Sequence, residues 1–158
     1  MGENDILFWV FLLYNDASGT CLAQNNPQTS MISNGEYKMR ILICDDDLLI
    51  VEKLQKYLKS YFSHLHLRCP EIVCFSDGES LLADPGDKDI LFLDIEMPGL
   101  DGIYVGTELK KRNRNIIIFI ITSYSEYLDE AMRFHVFRYL SKPIERQRLF
   151  RNLKDALD

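Results

Sequence analysis

The sequence predicts an α/β domain whose five parallel strands form a doubly wound sheet, with each strand followed by a helix. Two observations support this fold class. From residue 39 onward, short apolar runs alternate with amphipathic stretches. The runs at 90–93 and 116–121 lack any polar alternation, which is typical of strands covered on both faces. Such strands, separated by helices, pair in parallel between two helical layers.

Each element follows from a local pattern. Strands β1 to β5 are predicted at 40–44, 71–75, 90–93, 116–121 and 137–140. Helix α1 is predicted at 50–61 because apolar side chains recur there at helical spacing, namely Ile50, Val51, Leu54, Tyr57, Leu58 and Tyr61. Turn residues and further amphipathic stretches place the remaining helices, α2 to α5, at 77–83, 104–112, 126–134 and 144–157.

Composition narrows the class of protein. The 158 residues are 47% hydrophobic and 27% charged, as expected of a globular protein with a buried core. Lys and Arg total 18 against 24 Asp and Glu, so the net charge of -6 disfavours nucleic-acid binding by this chain itself. The four cysteines contain no C-x-x-C pair, which indicates reduced thiols and a cytoplasmic location.

The first 38 residues differ from the rest. Their apolar run at 6–14 covers nine positions, less than half of the roughly 20 that a membrane-crossing helix requires. The acidic residues Glu3 and Asp5 precede it where a secretory signal carries positive charge. We therefore expect no membrane association, a poorly ordered extension at 1–38, and a folded domain at 39–158.

Polar residues of reactive types follow four of the five strands. Asp45, Asp46 and Asp47 come after β1, Asp94 after β3, Thr122 after β4, and Lys142 shortly after β5. In a parallel sheet the carboxyl ends of all strands lie on one edge, where open α/β folds bind ligands. We expect these side chains to converge there. Asp47 is assigned to capping the helix that follows.

The predicted cluster indicates a particular chemistry. Two carboxylates about 4 Å apart repel each other by about 4 kcal/mol at an effective dielectric constant of 20, so a cation is needed. Carboxylate oxygens are hard ligands suited to Mg²⁺, whereas zinc favours sulfur or imidazole, and no Cys or His side chain is expected to face the cluster. Mg²⁺ beside a lysine and a hydroxyl group fits phosphoryl transfer, with a carboxylate as the nucleophile.

Four motifs in order and spacing resemble the receiver domain of two-component response regulators: ILICDDD, LFLDIEMPGLDG, IIFIIT and FRYLSKP. The resemblance covers about residues 39 to 157. It implies that Asp94 is the phosphoacceptor and that Asp45 and Asp46 hold Mg²⁺ together with Asp94 and the backbone carbonyl of Glu96. It also implies that Lys142 pairs with the phosphoryl group.

The same resemblance implies a conformational switch. Thr122 is expected to turn toward the phosphoryl group, and Tyr139 to swing inward in response. Glu96 and Tyr124 are expected to tune hydrolysis of the acyl phosphate. A cis peptide bond is implied between Lys142 and Pro143.

The partners expected from the resemblance are a sensor histidine kinase and a regulated output. The stretch at 121–143 resembles receivers attached to LytTR-type DNA-binding domains. DNA contact would require such an output domain, of roughly a hundred residues, so the chain is expected to be either a stand-alone receiver or a truncated regulator. A homodimer through α4, β5 and α5 is a further expectation, and the arginines that decorate this face suit an interface or a solvated surface equally well: Arg133, Arg138, Arg146, Arg148 and Arg151.

Two alternatives remain open at the level of sequence. Asp45 and Asp47 have the Asp-x-Asp spacing of haloacid-dehalogenase-type phosphohydrolases, with Asp45 as the nucleophile, although Leu49 stands where that family has a hydroxyl residue. A receiver-like interaction module that never takes phosphate is the other alternative. Its usual sign is a missing acceptor, lysine or acidic pair, and this sequence retains all three. On the receiver interpretation the chain phosphorylates and dephosphorylates only itself and is not an enzyme.

Overall fold

Five parallel strands form a single sheet in the order β2-β1-β3-β4-β5. The structure is a computed structural model that describes residues 38–123 and 135–158. The strands are β1 Arg40–Cys44, β2 Glu71–Phe75, β3 Ile90–Leu93, β4 Ile117–Thr122 and β5 Arg138–Ser141. The predicted fold class is confirmed, and each strand lies within one residue of its predicted bounds.

Four helices connect or follow these strands: α1 Leu48–His64, α2 Gly78–Ala83, α3 Gly102–Arg112 and α5 Arg146–Leu157. The predicted α4 at 126–134 lies outside the described residues, as does most of the predicted extension at 1–38. The boundary at residue 39 therefore stays a prediction. Within the described ranges, none of the helices combines the length and the apolar character needed to cross a membrane.

Three helices begin after an aspartate that caps them. Asp47, Asp77 and Asp101 each accept a hydrogen bond from a backbone N–H group in the first turn of the helix that follows. Such caps satisfy a backbone donor that lacks a partner within the helix. They start α1 and α3 two residues earlier than the apolar pattern predicted, and they confirm the capping assignment of Asp47.

The sheet separates two hydrophobic clusters. Alternate residues of β1 point to opposite faces, so Ile41 and Ile43 pack with α1 and α5, whereas Leu42 and Cys44 pack with α2 and α3. The central strands β3 and β4 alternate in the same way and are buried almost throughout. Because both faces of the sheet are covered, the strands can be apolar along their whole length.

The parallel register brings the carboxyl ends of the strands to one edge. Cys44 pairs with Leu93, Leu93 with Ile120, and Thr122 with Ser141. The residues that follow these positions therefore lie side by side. The peptide bond between Lys142 and Pro143, directly after β5, is cis, as the resemblance implied.

Candidate functional site

Three carboxylates meet at this edge of the sheet. Asp45 and Asp46 follow β1, Asp94 follows β3, and one oxygen from each lies within 4.8 Å of the others. Asp45 and Asp94 are 2% and 5% exposed, whereas Asp46 faces solvent. The predicted convergence of these acids is therefore present in the structure.

Lys142 supplies positive charge to the cluster. Its Nζ lies 2.7 Å from Asp94 Oδ2 and 2.8 Å from Asp45 Oδ2. Burial disfavours the charged amine, but the contacts with Asp45 and Asp94 outweigh it and raise the pKa of Lys142 above its ordinary value. Lys142 is therefore a cation held between two buried carboxylates.

Asp45 is the less completely hydrogen-bonded of the two buried carboxylates, Asp45 and Asp94. Its Oδ1 accepts a hydrogen bond of 2.9 Å from the backbone N–H of Asp47. Its Oδ2 is buried and lies beside Lys142, yet no donor among the described residues meets it in hydrogen-bonding geometry. Burial, helped by the charge of Asp94, raises the pKa of Asp45, while Lys142 and the Asp47 amide act in the opposite direction.

Asp94 is held at both oxygens. Oδ1 accepts a hydrogen bond of 2.7 Å from the backbone N–H of Ile95, and Oδ2 accepts one of 2.7 Å from Lys142. The backbone N–H of Asp94 also donates to the carbonyl of Cys44 at 2.9 Å, which ties the residue to the end of β1. The carboxylate is therefore fixed in orientation as well as in position.

The donor set fits a divalent cation. Three carboxylates face one ammonium group, so the cluster carries an excess of two negative charges, equal in magnitude to the charge of Mg²⁺. The ligands are oxygens, which Mg²⁺ prefers, and Asp45 Oδ2 is a buried acceptor that no donor among the described residues meets in hydrogen-bonding geometry, although Lys142 Nζ lies 2.8 Å away. Among the described residues no second such group occurs, and the exposed His64, His66 and Cys69 do not form one.

The remaining predicted residues are placed as follows. Thr122 is the last residue of β4 and fully buried, and its backbone carbonyl accepts a hydrogen bond of 3.0 Å from the Lys142 N–H. Tyr139 lies on β5 and is half-buried. It packs against the hydrophobic cluster on the face of the sheet that α2 and α3 cover. Glu96 is exposed in the loop after β3. Tyr124 and Arg133 lie outside the described residues.

Sequence reasoning missed one residue of this site. Gly102, read only as part of a Pro-Gly and Asp-Gly loop, is the first residue of α3 and lies directly against the backbone of Asp94. The Asp-Gly pair before an amphipathic stretch was the available signal. It identifies a capped helix start but does not show what that start touches.

Comparison with known proteins shows the family. Residues 41–154 match the family of response regulator receiver domains. The chain therefore belongs to that family, whose members are receiver domains of response regulators in two-component phosphorelay signalling. Receiver domains are signalling domains rather than classical enzymes. The comparisons lend no support to either alternative considered from the sequence.

Curated relatives include several regulators. The chain is similar to the positive alginate biosynthesis regulatory protein of Pseudomonas aeruginosa, with 34% identity over 75% of this chain and 47% of the relative. It is 28% identical to the sensory transduction protein LytT of Bacillus subtilis over 73% of this chain and 47% of the relative. These relatives agree with the predicted resemblance to LytTR-type regulators. The chain spans about half the length of the curated relatives it matches.

Solved receiver structures share the fold. The response regulatory domain of protein mrkE from Klebsiella pneumoniae has a TM-score of 0.67 at 26% identity, covering 75% of this chain and 94% of that one. The response regulator protein TrrA from Thermotoga maritima was solved in complex with Mg²⁺ and a beryllium fluoride. It has a TM-score of 0.65 at 30% identity, and the match covers 75% of this chain and 98% of that one.

Proposed function

We propose that Asp94 accepts a phosphoryl group from a histidine kinase in a reaction that depends on Mg²⁺. The observation that carries this proposal is the contact of Lys142 Nζ with both Asp94 and Asp45 at one edge of the sheet. A lysine held there lies beside the position that a phosphoryl group on Asp94 would occupy. The solved TrrA structure, with Mg²⁺ and a beryllium fluoride, is of the same family.

The metal ligands proposed are Asp45, Asp46, Asp94 and the backbone carbonyl of Glu96. When bound, Mg²⁺ supplies positive charge that offsets the negative charge of the phosphoryl oxygens. The exposed side of the site is formed by Asp46, so an ion can reach the buried Asp45 and Asp94 from solvent. The chain's own contribution is to hold these oxygens close together against their repulsion.

The transfer step forms one bond and breaks one. A carboxylate oxygen of Asp94 attacks the phosphorus of phosphohistidine, an O–P bond forms, the P–N bond breaks, and the imidazole leaves with the bonding electron pair. The Ile95 N–H and Lys142 hold the carboxylate in one orientation before attack. This positioning supplies much of the acceleration that a protein can give phosphoryl transfer.

The response to phosphorylation is proposed to pass through Thr122 and Tyr139. Thr122 ends β4 beside Lys142, and Tyr139 lies on the neighbouring strand β5, where Ile120 is its partner in the ladder. A movement of the Thr122 hydroxyl toward the phosphoryl group therefore acts on the strand that bears Tyr139. Glu96 and Tyr124 are proposed to set the rate at which the acyl phosphate hydrolyses.

The output is proposed to use the face formed by α4, β5 and α5. The arginines on the described part of this face, Arg138, Arg146, Arg148 and Arg151, are all exposed. We propose that this surface dimerises or binds a partner when Asp94 is phosphorylated. Because the matched relatives are about twice as long, we also propose that the receiver acts in a cytoplasmic transcription regulator of the LytTR type.

The proposal is tested by incubating the chain with acetyl phosphate and Mg²⁺ and locating the phosphoryl group by mass spectrometry. We expect one labelled residue, Asp94, and no labelling of Asp94→Asn or in the presence of a chelator. Asp47→Asn is the matched control, because asparagine also caps a helix and the labelling should persist. Labelling of Asp45 in place of Asp94 would refute the assignment.

A further inference from the structure

We propose that Gly102 is a positioning residue for Asp94, because the absence of a side chain at Gly102 sets where the phosphoacceptor backbone lies. This inference rests on the proposed function of Asp94. It extends the site from its carboxylates to the first residue of α3, which has no titratable side chain.

The approach of Gly102 to the acceptor strand is very close. A Cβ atom at Gly102 would lie 2.1 Å from the backbone oxygen of Asp94 and 2.8 Å from the Cα of Ile95. These are backbone atoms, which cannot rotate away as a side chain does. The φ angle of Gly102 is not in the left-handed region, so the position requires glycine for space alone.

Gly102 also forms a hydrogen bond with Ile95, the residue that follows Asp94. Its N–H donates to the carbonyl of Ile95 at 2.9 Å, and the N–H of Ile95 in turn donates to Asp94 Oδ1 at 2.7 Å. A displacement of the Asp94–Ile95 peptide therefore moves the donor that orients the carboxylate. The carbonyl of Glu96, a proposed metal ligand, belongs to the next residue along and moves with it.

The position of Gly102 is itself fixed by the start of α3. Asp101 caps the helix by accepting a hydrogen bond of 2.8 Å from the N–H of Tyr104. The preceding Leu100 donates its N–H to Glu79 Oε1 of α2 at 3.2 Å. The first turn of α3 is thus anchored independently of Asp45, Asp46 and Asp94 and serves as a fixed support for the Asp94 backbone.

A second glycine in the chain provides a matched control. Gly78 is the first residue of α2 and follows the capping Asp77, as Gly102 follows Asp101. A Cβ at Gly78 would meet Val105 Cγ2 at 2.5 Å and Leu100 at 3.2 Å, so its nearest neighbours are not Asp94 or Ile95. Gly78→Ala crowds the start of α3 at Val105 and Leu100 but places no atom against the Asp94 backbone, so it shows what crowding of this helix start does without a direct clash with the acceptor.

The experiment measures phosphorylation of Gly102→Ala, Gly78→Ala and wild type by acetyl phosphate at saturating Mg²⁺. The rate constant describes how fast the folded molecules become fully phosphorylated. A loss of stability alone lowers the number of folded molecules but does not change this rate constant. We expect Gly102→Ala to be about 10- to 100-fold slower, the scale of a displacement on the order of 1 Å. We expect Gly78→Ala to react within about twofold of wild type, because its shortest clash is with the side-chain atom Val105 Cγ2 and not with the backbone of Asp94 or Ile95.

An NMR measurement separates this inference from the proposed function. The amide proton of Ile95 reports its hydrogen bond to Asp94 Oδ1 whether or not Asp94 is ever phosphorylated. We expect its chemical shift to change in Gly102→Ala and to stay near the wild-type value in Gly78→Ala. If wild type is not phosphorylated but the Ile95 amide shifts in Gly102→Ala and not in Gly78→Ala, only the proposed function is refuted.

Two results would overturn the inference: an unchanged Ile95 amide in Gly102→Ala, or equal slowing by both alanine variants. If Gly102→Ala does not fold, Asp101→Ala replaces it. Loss of the cap loosens the same helix start, so a smaller change in the same rate constant and amide signal is expected, and no change in either overturns the inference.

Discussion

Lys142 and Asp94 form a 2.7 Å ion pair although 48 residues separate them in the chain. The pair joins the end of β5 to the end of β3, with the last residue of β4 between the two strands. It therefore links the proposed acceptor to the side of the sheet that carries Thr122 and Tyr139.

We predict that this pair is strongly coupled. In a chelator at pH 7, Lys142→Met should lower the free energy of unfolding by about 3 kcal/mol, because it leaves buried carboxylates without their cation. In an Asp94→Asn background the cost should fall, giving a coupling energy of about 1–3 kcal/mol. Urea denaturation of wild type, the two single variants and the double variant measures this coupling energy. Additive effects of the two substitutions would contradict a direct interaction.

Because the pKa of Asp45 is raised, we predict that replacing the Asp45 carboxylate stabilises the folded chain. Because burial raises the folded pKa above the unfolded one, the ionised side chain opposes folding at neutral pH, and this cost fades as pH falls toward the unfolded pKa of about 4. Without metal, Asp45→Asn should therefore be more stable than wild type at pH 7 and lose this advantage near pH 4. Urea denaturation at both pH values tests this, and a variant less stable at pH 7 would contradict it.

Mg²⁺ should stabilise the folded chain by mass action. At a free concentration about 100 times the dissociation constant, we expect the free energy of unfolding to rise by about 2.7 kcal/mol. Asp46→Asn should lose most of this gain because it removes a proposed ligand, whereas Asp47→Asn should retain it. Thermal denaturation with and without Mg²⁺ provides the measurement, and an equal gain in both variants would exclude Asp46 as a ligand.

A second charged cluster predicts a different pH dependence. Asp84 pairs with Arg40 and Lys88, each at 3.0 Å, and the hydrogen bond from Arg40, followed by that from Lys88, lowers the pKa of Asp84 to about 2. The stabilisation is present above the unfolded pKa of about 4 and is lost as pH falls through about 2. Asp84→Asn should cost on the order of 2 kcal/mol at pH 7, and much less at pH 2.

Its matched control is Glu108→Gln, which breaks a pair with the well-exposed Lys111. We expect that change to cost less than about 1 kcal/mol, because solvent weakens exposed ion pairs. Urea denaturation of both variants provides the comparison. Equal costs for Asp84→Asn and Glu108→Gln at pH 7 would show that the cluster around Arg40 adds no special stability.

The fold was predictable where burial dictates the residue type. The run at Ile90–Leu93 is covered on both faces and appears in the sequence as an unbroken apolar segment. The first residues of helices were harder to predict from the sequence, because a helix can begin on residues that face solvent. Leu48 and Leu49 open α1 at 70% and 75% exposed, so apolar spacing alone did not include them.

The site was predictable to the extent that topology determines it. Parallel strands place Asp45, Asp94 and Lys142 at one edge, and the structure brings them together. Contacts that depend on packing left no sequence pattern. The approach of Gly102 to Asp94 and the pairing of Arg40 with Asp84, 44 residues apart, arise only when the elements assemble.

The two ends of the strands meet opposite electrostatic conditions. Near the start of β1, Asp84 already has two cationic neighbours. At the far end, three acids share a single amine. The excess negative charge is thus concentrated beside the proposed phosphoacceptor. The rate at which this receiver is phosphorylated should therefore depend on the concentration of free divalent ions around it.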